Sequence, residues 1–200
     1  MISTEEALNR LRKGNKRFVS DSSIFNNAPS HKSRRHSLAE DQDPFAIILG
    51  CSDSRVSSEI VFDQGLGDLF VVRVAGNIVA PSQIGSIEFA VERFGARLVV
   101  VMGHSRCGAI QATLDSLRDP SKNQSKNLRS IVDRIRPSLE LLDIDQDPET
   151  ILQQAVRANI HSSVSQLQQE SRVLEQLVRE GDLLILGAEY SLDTGIVNFL

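Results

Sequence analysis

Five residues in two short stretches have the types and spacing to do chemistry. Cys51, Asp53 and Arg55 alternate within "GCSDSRV" (50–56), and His104 and Cys107 enclose two residues in "GHSRCGA" (103–109). Thiolate and imidazole are good zinc ligands. A His and a Cys three apart, at the turn into a helix, supply two donors. Cys51 supplies a third if its strand lies beside that of His104. Three protein donors leave a fourth position open, which separates a catalytic zinc site from a closed structural one. The alternative is plain packing, with both cysteines as small buried hydrophobes and His104 as a hydrogen-bonded loop residue. The chain's two cysteines are too few for a disulfide framework or a four-thiolate iron–sulfur cluster.

Asp53 and Arg55 stand two apart in a loop, so both can face one side. A charge-assisted, bidentate pair would hold the carboxylate beside a metal without making it a ligand. The alternative for these two is a surface ion pair of little consequence.

The elements that must position these residues can be traced along the chain. Residues 3–18 fit an amphipathic helix, with Ser3 and Glu6 as a capping box and Ala7, Leu8, Leu11 and Phe18 roughly on one face. Residues 20–43, with Asn26, Asn27 and Pro29, fit a long polar connection. Its basic cluster His31-Lys32-Ser33-Arg34-Arg35-His36 fits a solvated loop. "FAIILG" (45–50) has the continuous apolar character of a strand buried on both faces. A short helix follows in "SSEIVFDQG", then a strand over 69–76, a helix over 82–95, a strand over 97–104 and a helix opening at Cys107. Helical stretches over 126–142 and 149–180 lead to a strand over 182–190, and "TGIVNFL" (194–200) returns as a hairpin arm. Strands alternating with helices predict an α/β fold, a mostly parallel sheet flanked by helices with an antiparallel C-terminal edge. In such sheets ligands sit off the carboxyl ends of strands, where Cys51, His104 and Cys107 all fall.

Bulk properties narrow the function classes. Two hundred residues, 40% hydrophobic and 24% charged, suit one domain with a sizeable core. A net charge of −4 gives no global basic field for nucleic acid. No apolar stretch approaches the ~20 residues of a membrane span. The N-terminal segment lacks the apolar core of a secretory signal, so a cytoplasmic location is expected.

In order and spacing, "CSDSRV", "DLFVVRVAGN", "GSIEFAV" and "GHSRCGA" resemble the conserved blocks of the β-class carbonic anhydrases, and the similarity runs over essentially the whole chain. The resemblance implies one Zn2+ per subunit held by Cys51, His104 and Cys107, with an Asp53–Arg55 dyad beside the fourth position. In a closed state Asp53 would swing in as a fourth ligand. It also implies interconversion of CO2 and water with bicarbonate and a proton by zinc-hydroxide attack. Gln42 matches a substrate-bonding glutamine, and Gly108 a small residue at the pocket floor. Phe89 stands where relatives often carry a pocket-lining tyrosine. Arg73 and Tyr190 match two residues of an inhibitory bicarbonate site in some relatives. Ile48 replaces that site's tryptophan, which favours structural hydrogen bonding as the role of Arg73 and Tyr190. The family further implies an N-terminal helical arm (1–43) packed on a partner subunit, ahead of an α/β core (44–200), in a dimer or tetramer. Two other functions share these features. A hydrolase of CS2 or COS would differ in pocket access, and a non-catalytic zinc-stabilised binding protein would want a fourth protein ligand instead of a dyad. His31, His36 and His161 are proton-shuttle candidates by residue type alone, and none is singled out.

Overall fold

The computed structural model describes residues 2–24, 31–121 and 125–200. Its centre is two strands that are buried end to end, β1 (Ala46–Gly50) and β3 (Leu98–His104). Both are continuous apolar runs because both of their faces are covered. Among the described residues the sheet has the order β2-β1-β3-β4-β5, with β2 at Leu69–Arg73, β4 at Leu184–Tyr190 and β5 at Val197–Phe199. The first four strands run parallel, and β5 is antiparallel to β4. The predicted α/β class and antiparallel C-terminal edge are therefore both present.

Side-chain alternation along the strands builds two separate cores. Ile47 and Leu49 of β1, with Val99 and Val101 of β3, face α4 (Pro81–Phe94), α5 (Gly108–Arg118), α6 (Lys126–Leu139), α7 (Pro148–Gln169) and α8 (Arg172–Glu180). Ala46 and Ile48, with Leu98, Val100 and Met102, face α1 (Thr4–Val19) and α3 (Ser58–Val61). Ser3 caps α1 by accepting the Glu6 N–H at 3.1 Å, as its sequence predicted.

Three expectations change. First, the N-terminal helix, expected as an arm packed on a partner subunit, has a face that packs on its own sheet. Its Ala7 and Leu11 are buried in the second core. Buried Asn15 ties it down, its Nδ2 donating to Val61 O (3.1 Å) and Gly195 O (2.8 Å) while its Oδ1 accepts the Val197 N–H (2.9 Å). Second, the polar connection 20–43 contains a short helix, α2 (His31–Ser37). So short a helix needs tertiary support, and Arg34 provides it by donating to Leu66 O and to Asp68, each at 2.9 Å. Asn26, Asn27 and Pro29 of that connection lie outside the described residues. Third, the single helix expected over 149–180 is two helices. Ser171 interrupts it, capping α8 through the Leu174 N–H (3.1 Å) and donating to Glu88 (2.5 Å).

Asn15→Ala removes three buried hydrogen bonds and leaves two carbonyls and one N–H without partners. It is expected to cost about 3 kcal/mol of stability, measured by urea unfolding, and a loss under ~0.5 kcal/mol would show that this clip does not hold the helix.

Candidate metal centre

β1 pairs with β3 in register, Gly50 opposite Met102, so both chains leave the sheet side by side. Cys51 is the first residue past β1, His104 ends β3, and Cys107 caps α5. The ligand atoms of Cys51, His104 and Cys107 lie within 4.8 Å of one another, and all three residues are buried. The two sulfurs are 3.9 Å apart and reduced.

The donor set passes a chemical test for a metal. His104 Nδ1 lies 3.0 Å from Ser105 O. A carbonyl only accepts, so Nδ1 carries the proton and Nε2 presents a lone pair. That Nε2 is buried with no hydrogen-bond partner, an expensive state unless a cation takes the lone pair. Two sulfurs and one such nitrogen suit zinc by softness, and the Nδ1 bond is the usual means of fixing the tautomer of a ligating histidine. Contact with Cys107 pulls the Cys51 thiol well down, His104 and the Gly76 N–H adding to it against burial. Contact with Cys51, together with burial, pushes Cys107 up.

Asp53 and Arg55 are brought together as the spacing suggested. Asp53 Oδ1 accepts the Arg55 N–H (3.0 Å) and Nε–H (2.9 Å), and Oδ2 accepts from Nη2 (2.7 Å). These bonds from Arg55 hold the Asp53 carboxyl well below the usual carboxylate range, with burial opposing them. Oδ2 also lies 3.9 Å from His104 Nε2. The carboxylate therefore borders the donor cluster while remaining bound to arginine.

The other predicted site residues are dispersed. Gln42 is exposed, its backbone N–H held by Asp41 at 2.9 Å. Phe89 is 53% exposed on α4 and packs against Phe70 and Phe94. Among the described residues, neither side chain hydrogen-bonds to or stacks on the cluster. Gly108 opens α5, and the position where its side chain would begin faces open space. Arg73 and Tyr190 stand on β2 and β4, with β1 and β3 between them. Tyr190 is buried, which raises its phenol pKa. A cleft of about 600 Å³ opens nearby, lined by Ser105, Arg106, Arg157 and Glu189 among others, but not by Cys51, Asp53, His104 or Cys107. His36 and His161 are exposed, and the His31 side chain lies outside the described residues.

Two residues support the Cys51 loop through partners that the sequence did not specify. Arg73 donates to Cys51 O (2.9 Å) and Asp53 O (2.7 Å), bracing the backbone that carries both functional side chains. Gly76 donates its N–H to Cys51 Sγ at 3.4 Å. It sits at φ 70° in a 3-10 turn, Ala75–Asn77, where a Cβ would approach Ile135 to 2.8 Å. The glycine in "RVAGN" marks such a backbone need, though not which sulfur it serves.

Comparison with known proteins gives one consistent result. A family model described as carbonic anhydrase matches residues 46–197. "Carbonic anhydrase 2" of Mycobacterium tuberculosis is 39% identical over 189 residues, covering 92% of this chain and 87% of the relative. A carbonic anhydrase of Mycolicibacterium smegmatis is 41% identical over 194 residues, covering 94% and 88%. The solved β-carbonic anhydrase CafA of Aspergillus fumigatus superposes with a TM-score of 0.73 at 25% identity, covering 98% of this chain and 89% of that one.

Arg73→Met unties two carbonyls of the Cys51–Asp53 loop. It is expected to lower stability by about 2 kcal/mol and to speed thiol modification of Cys51 in metal-free protein, read by mass spectrometry. Unchanged modification would show that Arg73 does not brace the loop.

Proposed function

The chain belongs to the β-carbonic anhydrase family, and from that premise we propose that Cys51, His104 and Cys107 hold one zinc ion at which this carbonic anhydrase carries out CO2 + H2O ⇌ HCO3− + H+. The observation that carries the proposal is the buried, partnerless Nε2 of His104 within 4.8 Å of two reduced sulfurs. Zinc at this position supplies Lewis acidity, making water a nucleophile near neutral pH.

The chain's own residues do the rest. Asp53, kept ionised by Arg55, accepts a hydrogen bond from the attacking water and aims its lone pair at the carbon of CO2. Arg55 keeps that carboxylate turned aside from the donor cluster; without it Asp53 would be free to swing in as a fourth ligand and close the site. Arg73 fixes the loop, so Asp53 need not be reoriented at each turnover. Open space at Gly108 leaves room for a small linear substrate.

A second copy of the chain completes the substrate side. Gln42 and Phe89 are exposed in the single chain. The β2 edge beside Phe89 carries half-buried apolar residues, an edge of the kind that proteins cover. On this proposal the partner brings Gln42 and Phe89 to the pocket, in a dimer or a tetramer built from dimers. Among the described residues no helix is long and apolar enough to cross a membrane. Cys51 and Cys107 serve as ligands only while reduced, which favours the cytoplasm.

Purified under reducing conditions, the chain should carry one zinc per polypeptide by elemental analysis. Chelation should abolish CO2 hydration in stopped flow and leave the far-ultraviolet circular dichroism intact. Full hydration by zinc-free protein would sink the proposal. Arg55→Ala should retain its zinc and lose about a hundredfold in kcat/KM, whereas wild-type turnover would remove the dyad from the mechanism.

Phe89→Glu should shift sedimentation to the monomer and reduce hydration roughly tenfold. A wild-type chain that sediments as a fully active monomer would remove the second copy from the site.

A further inference from the structure

Cys51 Sγ accepts the Gly76 N–H at 3.4 Å, and the turn that delivers this N–H, closed by the Asn77 N–H on Val74 O at 3.0 Å, is also held from outside. Gly76 and Asn77 are consecutive residues in the left-handed region, at φ 70° and 43°. That conformation is costly for Asn77 and persists only when neighbours enforce it. The neighbours are on α7. Asn159 Nδ2 donates to Gly76 O at 2.8 Å, and Ser163 Oγ donates to Asn77 O at 3.1 Å. Both residues are 2% exposed. A buried asparagine and a buried serine are poor choices for a helix interior on propensity and desolvation alone.

Their reach depends on how closely α7 approaches the sheet. Ile160, next to Asn159, rests on Gly103 of β3 and Gly187 of β4. A Cβ at either glycine would come within 2.7 Å or 2.6 Å of Ile160. One face of α7 therefore seats on two bare backbone positions and places two hydrogen bonds on the turn behind the first sulfur.

We propose that Asn159 and Ser163 are positioning residues of the metal centre. By pinning the carbonyls of Gly76 and Asn77 they keep the Gly76 N–H on Cys51, which lowers the electron density this sulfur gives to a bound cation. Hydrogen bonds from outside the ligand set tune a metal in this way. The proposal rests on the zinc site assigned above.

Cobalt(II) exchanged into the full-length protein provides the test, because its thiolate-to-metal charge-transfer band reports the electron density on sulfur. Asn159→Ala and Ser163→Ala should both move the band to longer wavelength. Ser163→Thr, which keeps the hydroxyl, should restore the wild-type band. Asn15→Ala, which loosens the opposite face of the sheet, should leave the band in place. If Asn159→Ala does not fold, Ser163→Ala and its threonine rescue decide alone. A band that stays at the wild-type wavelength in the folded variants, whatever their stability, overturns the positioning role and leaves the metal site standing. A wild-type chain that takes up no cobalt overturns the metal site and this proposal together.

Discussion

Two sulfurs and one imidazole nitrogen, their ligand atoms all within 4.8 Å, are gathered on three buried residues. Lone pairs so concentrated and so poorly solvated repel one another unless a cation takes them, and most of the surrounding structure manages that cost. The parallel register of β1 and β3 brings Cys51 and His104 to the same edge. Gly76 gives the first sulfur an N–H. The imidazole alone keeps an unanswered lone pair. In this sense the centre is electrostatically prepared on its sulfur side and waits on its nitrogen side.

The preparation is done largely by backbone groups. Arg73 spends its guanidinium on two carbonyls of the Cys51–Asp53 loop. Asn159 and Ser163 act on the carbonyls of the turn that presents Gly76. Backbone dipoles cannot rotate away as side chains can, so a site built from them loses little in reorganisation. The arrangement also explains why polar residues lie deep in the interior of α7, a helix that otherwise contributes Ile151, Ala155, Val156 and Ile160 to the apolar core.

The sequence made the clustering of Cys51, His104 and Cys107 and the parallel sheet legible for one physical reason. Short, wholly apolar runs such as "AIILG" and "LVVVMG" can only be strands covered on both faces, and the donors follow each run directly. What escaped it was pairing between residues distant along the chain. Arg73 displays the structural hydrogen bonding that was favoured for it, but its partners, the carbonyls of Cys51 and Asp53, were not legible. Nothing local in "RANIHSSV" reveals that Asn159 and Ser163 meet Gly76 and Asn77, more than eighty residues earlier. The placement of α1 was missed for a related reason. A helix with one apolar face states that it needs cover, and only the buried bonds of Asn15 to Val61, Gly195 and Val197 state which surface provides it.

The loop between Cys51 and Val56 shows how the two cores and the chemistry meet. Cys51 is buried in the core on the α7 side of the sheet, and Val56 in the core on the α1 side. The chain must therefore pass over the end of β1 in a few residues, with both ends anchored by burial. The Val56 N–H closes the passage on Asp53 O at 3.0 Å. Residues at the crest of such a passage have no core to enter, so their side chains must satisfy one another. Asp53 and Arg55 do so with three hydrogen bonds across two positions. A carboxylate held in this way next to a buried donor cluster has little freedom in orientation or protonation. That restriction follows from the crossing itself, so the dyad's geometry is inherited from the fold as much as from its two residues.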